Sequence, residues 1–538
     1  MKKLIGIVIT LLLATFGFAS GTEEDAAGDV VVLDTFVRQS PMVSSVDNNQ
    51  FTDLIEEKFG VEMDFTAVPS QGADEKLSLL MASGDYPSIL WTAGFDRSEQ
   101  ARYGGQGVII PINDLIEQYG PNIQKRLAEY PEVLRDMTNP DGTIYGLPHV
   151  EGCYHCTYSQ KMWINTDWLN NLGLEMPTTT DEFADVLEAF KTQDPNGNGE
   201  ADEIPLTGSV QWWHAEMWPY IMNAFVPLSY DWSQAQFVAV EDGKVYFAPT
   251  TEAWREGLAY MNGLYEDGLI DQQGLTQQQD AMRGLVSNPD EIIVGAFTAG
   301  HVGMGVSLED RERFLNDSGD GVRYRALPPI EGPGGAQYAG YFPPAFTSIS
   351  LAMTIKATDE QQLKMMEIAD WIWTTEGTLT TISGPEGVGW RWAESGELGL
   401  NGEPAVYATY QHDAEAVHNR TIEAFPFWHF DLFNSWAANQ DITSPDAYER
   451  FLVLETEQYE PYRPEEPVPP SLYYNSDDAQ TVAQIQTELQ SFVDQFAVGV
   501  ISGQRDLDSE WNDYLAAFDG LRLEEYLSLV QAAYDAQQ

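Results

Sequence analysis

The sequence predicts an α/β fold, in which a parallel sheet carries helices on its faces. The first hundred residues alternate between strand and helix signals in the order β-α-β-α-β, and parallel strands need helical crossovers of this kind. A content of 43% hydrophobic and 12% aromatic residues is typical of a chain with a packed core. The length of 538 residues allows several such cores or two large lobes.

The elements of the predicted sheet follow one another at short intervals. The first strand covers 30–33, where four apolar residues are consecutive. The first helix, 51–59, has apolar residues on one face and ends at Gly60. Alternating apolar and polar residues then predict a second strand over 61–65. A helix over 76–82 and a strand over 88–91 complete this unit.

Helical signals dominate the rest of the chain. Thr179 and Glu182 have the spacing of a capping box, which predicts a helix with Phe183 and Phe190 on its buried face. The end of the chain is predicted to be mostly helical. The other predicted elements are helices over 252–267 and 361–374, strands over 302–306 and 348–355, and a Pro-rich connector over 462–470.

The charge of the chain excludes several classes of partner. With 27 Lys and Arg against 84 Asp and Glu, the formal net charge is −57. Because phosphates and anionic membrane surfaces would be repelled, we expect no general affinity for nucleic acid or for such membranes. The sequence shows no internal repeat, which argues against a repetitive calcium-dependent adhesin.

The N-terminus has the pattern of a secretory signal peptide over residues 1–19. Lys2 and Lys3 precede a mostly apolar run over 4–18, which is short for a membrane span. Small residues around Ala19 fit a cleavage site, and no cysteine lies nearby to carry a lipid. We therefore expect an exported, cleaved and unanchored periplasmic protein, with an uncleaved anchor as the alternative.

The two cysteines of the chain, Cys153 and Cys156, are separated by two residues, of which one is His155. In an exported protein this spacing favours a small disulfide. Free or redox-active thiols are one alternative. A metal site is another, although a structural zinc ion would need a further pair of ligands at suitable spacing.

Residues 194–203 have the composition of a calcium-binding loop. Oxygen ligands alternate along the loop, and Gly199 lies where an EF-hand loop makes its sharp turn. Position 12 of such a loop is a bidentate Glu, whereas Pro205 stands there in this chain. Because all ligands come from one closed loop, we expect a structural Ca²⁺ ion, with a solvated turn as the alternative. The predicted ligands are Asp194, Asn196, Asn198, Glu200 through its backbone carbonyl, Asp202 and Glu203.

The segment around this loop carries a longer pattern. It comprises 165–174, 177–179, 181–183, 189–191 and 194–205, with shorter matches at 265–271, 327–333, 370–372, 501–503, Trp511 and 532–535. The pattern resembles family 1 extracellular solute-binding proteins, which are substrate-binding subunits of ABC importers, and especially alginate-oligosaccharide-binding proteins with a calcium loop. Two departures are Asn165, where many relatives have Arg, and the missing lipoprotein cysteine.

The resemblance implies a two-lobed periplasmic binding protein of the type II, Venus-flytrap class, with a hinge and helical C-terminal additions. We expect lobe one over 28–146 plus about 342–384, and lobe two over 147–341 plus about 385–538. The resemblance also implies an oligosaccharide ligand, delivery to ABC transporter permease subunits, and no catalysis. We further expect a monomer. The net negative charge favours a neutral sugar, with an anionic oligosaccharide held by a local pair such as Arg38 and Arg391 as the alternative.

A sugar site needs flat aromatic faces and planar polar groups, in loops at the C-terminal ends of strands. Trp91, Asp96 and Arg97 also resemble the corresponding loop of maltodextrin-type binding proteins. The alternatives are core packing for Trp91 and a surface ion pair for the other two. Of the adjacent Trp212 and Trp213, we expect one to face the cleft. The full set of candidates is Arg38, Trp91, Asp96, Arg97, His149, Glu151, Tyr154, Trp212, Trp213, Tyr341, Trp390, Arg391, Trp392, Trp428 and Tyr473.

A secreted calcium-dependent carbohydrate-active enzyme is the alternative function. Glycoside hydrolases need a carboxylate pair at a fixed distance, and a chain with 84 acidic residues does not exclude one by counting. The sequence has no Ser-His-Asp motif, phosphate-binding loop or zinc motif. Turnover of an oligosaccharide would distinguish the enzyme from the binding protein.

Overall fold

The computed structural model describes residues 30–537, except 41–42, 211–212, 230–236, 289, 308–309, 311–313, 343, 345, 411–423, 469–471 and 475. The predicted signal peptide and Trp212 therefore lie outside the described residues. The described chain forms two lobes, each with its own sheet and its own large buried core. Within the described ranges, every helix is too short or too polar to cross a bilayer.

The first lobe is built on a five-stranded sheet. In spatial order its strands are Val61–Pro69, Val31–Gln39, Ile89–Leu90, Ile349–Met353 and Gly146–Pro148. The first three are parallel, and Ile349–Met353 is antiparallel to both of its neighbours. The predicted β-α-β-α-β order is thus confirmed. The accompanying helices are Gln50–Phe59, Ala73–Ser83, Arg97–Gly105, Asn113–Tyr119, Pro121–Glu129, Pro131–Met137, Asp359–Ile372 and Thr375–Ser383.

Local signals determine where the first helix begins and ends. The Asn49 side chain accepts a hydrogen bond from Phe51 N at 2.9 Å, which satisfies one of the free amides of the first turn. Gly60 ends the helix with φ of 65°, a left-handed conformation that glycine adopts at little cost. Phe51 and Ile55 are buried against the sheet, as their helical spacing predicts.

The second lobe is built on a four-stranded sheet of strands Tyr324–Leu327, Met162–Asn165, Val294–Thr298 and Ile204–Thr207, in that spatial order. Met162–Asn165 is antiparallel to both of its neighbours, and the last two strands are parallel. The C-terminal helices pack on the same core, which confirms the helical C-terminal additions. The helices of this lobe are Thr166–Leu172, Thr180–Thr192, Met217–Met222, Glu252–Glu266, Gln279–Val286, Tyr448–Glu457, Ser476–Ile501, Leu507–Gly520 and Leu523–Asp535.

Smaller elements connect and decorate the two sheets. Three two-stranded pairs join Val238–Glu241 to Lys244–Phe247, Trp390–Trp392 to Tyr407–Thr409, and Val150–Glu151 to Phe427–Trp428. Short helical segments are Phe430–Asn434 and the 3₁₀ turns His155–Tyr158, Ala248–Thr250, Gln273–Leu275, Val302–Met304, Pro445–Ala447 and Glu460–Tyr462.

One predicted strand is wrong. Residues 302–306 contain Val302–Met304 as a 3₁₀ turn and no strand. The apolar residues Val302, Met304 and Val306 predicted a strand and are all buried, but Gly303 and Gly305 stand between them. A glycine adds no side chain to a sheet and weakens a strand, so the segment turns instead.

A late segment of the chain returns to the first core. Ala424, Phe425 and Phe427 are buried in the hydrophobic core of the first lobe, and Trp373 Nε1 donates to Phe425 O at 3.0 Å. These residues lie beyond 384, where the sequence placed the end of lobe one. No local pattern distinguishes an apolar segment that packs on one core from a segment that packs on the other.

Candidate functional site

A cavity of about 1030 Å³ lies on the second lobe, beside the segment that connects Tyr324–Leu327 to the sheet of the first lobe. Its size suits a ligand of several rings, since small-molecule sites usually enclose a few hundred to about 1,000 Å³. Most of its lining comes from four segments, which are 213–214, 238–246, 337–342 and 461–468. The segment 337–342 is part of a connection between the lobes, so a ligand here lies next to the hinge.

Aromatic side chains supply much of the cavity wall. Gly300 N donates a hydrogen bond to Trp213 O at 3.1 Å, which fixes the Trp213 backbone. The Trp213 ring lies 5.9 Å from the ring of His301. The Tyr341 backbone is held by Ser229, whose Oγ donates to Tyr341 O at 2.6 Å. The full aromatic lining is Trp213, His214, Tyr246, Tyr338, Tyr341, Phe342 and Tyr462.

The polar groups of the cavity are mostly acidic. Among the described lining residues, Arg463 is the one Lys or Arg, and its guanidinium carbon lies 4.2 Å from the centre of the Tyr341 ring. Four carboxylates line the same space, those of Glu241, Asp242, Glu465 and Glu466. Carboxylates accept hydrogen bonds from hydroxyl groups and repel other anions. The arrangement therefore suits a neutral polyhydroxylated ligand better than a uronate.

Two of the candidate sugar contacts predicted from the sequence, Trp213 and Tyr341, line this cavity. Burial raises the pKa of the Tyr341 hydroxyl, which therefore stays protonated and able to donate. Tyr246, Tyr338, Phe342 and Tyr462 were not predicted. The sequence signal for Tyr462 was present, because it opens the Pro-rich segment, but that segment was interpreted only as a connector.

The candidates at the strand ends of lobe one make internal contacts. Trp91 is 1% exposed and packs against Phe425 with ring centres 5.2 Å apart, which is the core position that the sequence left open. Arg38 Nε and Nη2 donate to the carbonyl oxygens of Thr92 and Ala93, both at 2.8 Å. Arg38 also pairs with Asp74 at 2.5 Å.

Asp96 and Arg97 have roles in the helix Arg97–Gly105. The Asp96 carboxylate caps this helix and accepts from Glu99 N at 2.8 Å. Arg97 donates to the carbonyl oxygens of Thr138 and Asp136, at 3.1 and 2.6 Å. The guanidinium carbon of Arg97 lies 5.9 Å from the centre of the ring of another candidate, Tyr473. Among the residues that the structure describes, neither side chain has a partner for the ion pair that the sequence offered as their alternative.

Four candidates lie around the first connection between the lobes. His149 is half-buried and Glu151 is exposed, and Glu151 pairs with Trp428 in a two-stranded sheet. The Tyr154 hydroxyl donates to Glu460 at 3.3 Å. Trp428 Nε1 donates to the hydroxyl of Tyr407 at 3.0 Å. None of the four lines the described cavity.

A small hairpin contains three of the candidates, Trp390, Arg391 and Trp392. Trp390 is completely buried and Trp392 is 44% exposed. Arg391 makes a bidentate ion pair with Glu397, at 2.8 and 2.6 Å. This pairing raises the pKa of Arg391 and lowers the pKa of Glu397 to about 2. The hairpin is thus separate from the described cavity.

A buried polar cluster lies behind the cavity. Lys161 is 1% exposed and donates to His155 O at 3.0 Å and to Tyr158 O. Burial lowers the pKa of Lys161 to about 7. Glu449 Oε2 lies 3.6 Å from His155 Nδ1, and burial raises the pKa of Glu449 to about 7. Cys153 and Cys156 are joined by a disulfide in this cluster, with Cα atoms 5.3 Å apart.

Glu449→Gln should flatten the pH dependence of stability. The pKa of Glu449 rises on folding from 4.5 to about 7, so between these values the folded protein holds more protons, and stability falls as pH rises. Because 32% of the side chain is exposed, we expect the variant to gain only about 1 to 2 kcal/mol at pH 8 and almost nothing at pH 4. Urea unfolding at both pH values measures this change. Glu457→Gln on the same helix is the control, and an equal gain there would contradict the assignment.

The loop 194–203 is folded around its own carboxylates. Asp194, with φ of 48°, accepts from Gly199 N at 3.1 Å, and the amides of Asn196 and Asn198 donate to Asp202 at 3.3 and 3.2 Å. Glu203 Oε1 is buried and accepts no hydrogen bond. Burial and the nearby Asp202 and Asp194 raise the pKa of Glu203. A buried, unpartnered carboxylate oxygen among other carboxylates fits a bound hard cation.

The chain is similar in sequence to known proteins over most of its length. Residues 44–377 match the model of the bacterial extracellular solute-binding protein family. The fructooligosaccharide ABC transporter substrate-binding protein FusA of Streptococcus pneumoniae is 29% identical over 524 residues, which cover 94% of this chain and 90% of FusA.

Solved structures show the same fold. FusA in complex with kestose has a TM-score of 0.66 at 25% identity, covering 94% of this chain and 99% of that chain. A FusA structure described as an EF-hand mutant is also similar, with a TM-score of 0.65. An HMO-binding, ABC-transporter-associated solute-binding protein from Bifidobacterium longum infantis has a TM-score of 0.76 at 21% identity, with 95% and 99% coverage. Alginate-binding protein AlgQ2 has a TM-score of 0.59 at 19% identity, with 94% and 99% coverage.

Proposed function

This chain belongs to the bacterial extracellular solute-binding protein family, and we propose that it captures a neutral oligosaccharide for delivery to the permease of an ABC importer. The nearly full-length similarity to FusA supports the saccharide and the importer. The observation that carries the proposal is the cavity itself. It presents aromatic faces for the apolar sides of sugar rings and carboxylates for their hydroxyl groups.

The charge of the cavity narrows the class of sugar. Arg463 is engaged with the face of Tyr341, while four carboxylates line the same space. A uronate oligosaccharide would bring further negative charge to four carboxylates, and Arg463 is the one Lys or Arg among the described lining residues that could offset it. We therefore place neutral oligosaccharides, such as fructose-containing chains, before alginate-like ligands.

The lobes and the location of the protein form part of the proposal. We propose the division into 28–146 plus about 342–384 and 147–341 plus about 385–538, with residues 147–151 and 424–428 moved to the first lobe. The pairing of Phe427–Trp428 with Val150–Glu151 supports this addition. The sequence of residues 1–19 supports export with cleavage into a periplasm. We propose that the protein acts as a monomer and without catalysis.

Calcium binding by the loop 194–203 is proposed as a structural feature. Asp194, Asn196, Asn198, Asp202 and Glu203 would supply side-chain oxygens and Glu200 its carbonyl oxygen. The loop follows the helix Thr180–Thr192 and precedes the strand Ile204–Thr207. A cation here would therefore stabilise a junction in the second lobe, away from the described cavity.

Removal of Ca²⁺ should lower the melting temperature by several degrees. At a Ca²⁺ concentration 100 times its dissociation constant, binding stabilises the fold by about 2.7 kcal/mol, and a chelator removes this contribution. Glu203→Gln should weaken Ca²⁺ binding yet raise the melting temperature of the chelated protein, because it removes a negative charge from beside Asp194 and Asp202. Glu200→Gln, which changes a predicted backbone ligand, should leave Ca²⁺ affinity unchanged. Equal effects of the two variants on Ca²⁺ affinity would contradict the ligand set.

Calorimetric titration tests the proposed function. Purified protein with Ca²⁺ present is titrated with kestose, with longer fructooligosaccharides and with uronate oligosaccharides, and the sugars are recovered and analysed. Saturable binding of a neutral oligosaccharide that is recovered intact is the expected result. Binding of uronates alone would overturn the neutral ligand class. A shortened sugar would favour the carbohydrate-active enzyme and would start a search for a carboxylate pair.

A further inference from the structure

The disulfide cluster contains three soft ligand atoms in close proximity. The ligand atoms of Cys153, His155 and Cys156 all lie within 4.8 Å of one another, and Cys153 Sγ is 3.5 Å from His155 Nε2. His155 is 8% exposed and both cysteines are half-buried. Within the described ranges, no other trio of His, Cys, Asp and Glu residues brings its ligand atoms this close together.

A carboxylate lies behind the imidazole. His155 Nδ1 and Glu449 Oε2 are both buried and without hydrogen-bond partners, and they are 3.6 Å apart. A histidine that binds a metal usually donates its second ring N–H to a carboxylate, which orients the ring and strengthens the ligand. Glu449 is placed for this role, because it faces the side of the ring opposite to the sulfurs.

We propose that reduction of the Cys153–Cys156 disulfide creates a zinc site, with both thiolates and His155 Nε2 as ligands and Glu449 as the outer partner of His155. A tetrahedral ion with Zn–S of about 2.3 Å and Zn–N of about 2.1 Å holds its sulfur and nitrogen ligands roughly 3.6 Å apart. The observed separation of 3.5 Å between Cys153 Sγ and His155 Nε2 is close to this value. Once reduction has broken the Sγ–Sγ bond, the one further change needed is a longer distance between the Sγ atoms of Cys153 and Cys156.

The redox step needs a small dithiol. The dithiol breaks the Sγ–Sγ bond, gives one hydrogen to each sulfur and becomes its own cyclic disulfide. Zn²⁺ then displaces the two thiol protons to solvent. Since exported proteins usually keep such a pair oxidised, the site is gated by the redox state of its surroundings.

Access and charge support the site. Cys156 lines the cavity, so a dithiol, Zn²⁺ and a water molecule as fourth ligand can reach the sulfurs from that space. The ammonium group of Lys161 donates to His155 O and adds positive charge nearby. Two thiolates and the Glu449 carboxylate together balance the dication and this ammonium group.

Cobalt provides a direct test, because thiolate ligation of Co²⁺ produces sulfur-to-metal charge-transfer bands in the near ultraviolet. The protein is reduced with dithiothreitol, freed of it by gel filtration without oxygen, and titrated with Co²⁺ in excess Ca²⁺, which fills the loop 194–203. A thiol assay confirms that two thiols are free. We expect bands that saturate at one equivalent and disappear when Zn²⁺ is added, and no bands for the oxidised protein.

Variants test the individual ligands. Glu449→Gln should weaken Zn²⁺ binding by about tenfold or more, with Glu457→Gln as the unchanged control. His155→Gln should weaken it further, and Cys156→Ser, which leaves only the Cys153 thiolate, should reduce the intensity of the bands to half or less. If the reduced protein with two free thiols shows no charge-transfer bands, the proposal is overturned. It is overturned as well if the bands persist with unchanged affinity in His155→Gln. The comparison of oxidised and reduced wild-type protein stands even where a variant fails to fold.

Discussion

Trp213→Ala is expected to weaken oligosaccharide binding about 30-fold, which corresponds to about 2 kcal/mol. The Trp213 ring lines the cavity, and its backbone is held through Gly300 and its ring beside His301, so the aromatic face is in place before a ligand arrives. A flat, pre-positioned face loses little conformational entropy when a sugar ring stacks on it. Calorimetric titration of the variant with the best neutral oligosaccharide measures the loss.

Trp392→Ala is the matched control for this experiment. Trp392 is 44% exposed on the hairpin of Trp390–Trp392 and lies outside the cavity lining, so its removal should leave affinity within twofold. Circular dichroism and melting curves of both variants separate a binding effect from a folding effect. Unchanged affinity in a folded Trp213→Ala variant would show that the ligand lies elsewhere. Equal losses in both variants would show that the effect is not specific to the cavity.

Arg325→Met is expected to destabilise the protein by about 3 kcal/mol or more at pH 8. The Glu455 side chain is completely buried and accepts from Arg325 Nε at 2.7 Å and from Ala326 N at 2.6 Å. Without Arg325, a buried carboxylate keeps only a backbone donor. Burial already raises the pKa of Glu455, and Arg325 lowers it, so losing the arginine raises this pKa further. The variant should therefore be less impaired at pH 5, where Glu455 takes up a proton on folding at little cost.

The double variant Arg325→Met with Glu455→Gln should recover most of the lost stability, because the unpaired charge is gone. Arg522→Met, which removes an exposed ion pair with Glu525, is the control and should change stability very little. Urea unfolding at pH 5 and pH 8 measures all three. A loss in Arg325→Met that is independent of pH and persists in the double variant would mean that lost side-chain packing, rather than the unpaired charge, controls the effect.

The sequence predicted the elements whose signals are local. The helix that begins after Thr179 is confirmed as Thr180–Thr192, since a capping residue and an apolar face are set by neighbouring residues. The strand predicted over 302–306 is wrong, because Gly303 and Gly305 weaken an extended strand and Val302–Met304 forms a 3₁₀ turn instead. The motifs around residues 165–205 also predicted the two-lobed fold, because a family resemblance can be recognised in the sequence without a structure.

The candidate sugar contacts show the limit of this reasoning. Trp91 and Trp213 both follow strand signals, yet Trp91 packs in a core and Trp213 lines a cavity. What separates them is the distant partner of each, Phe425 for Trp91 and the turn at Gly300 and His301 for Trp213. The spacing of residues along the sequence does not show which residues more than 80 positions apart are in contact.

The sequence by itself therefore determined the α/β class, the acidic charge, the calcium-loop composition and the family, because each of these depends on composition or on neighbouring residues. Only the tertiary structure decided which aromatic residues line the cavity, that residues 424–427 return to the first core, and that Glu449 faces His155. These facts depend on where two lobes bring distant segments together. Long-range packing selects among many apolar and charged segments that look alike along the chain.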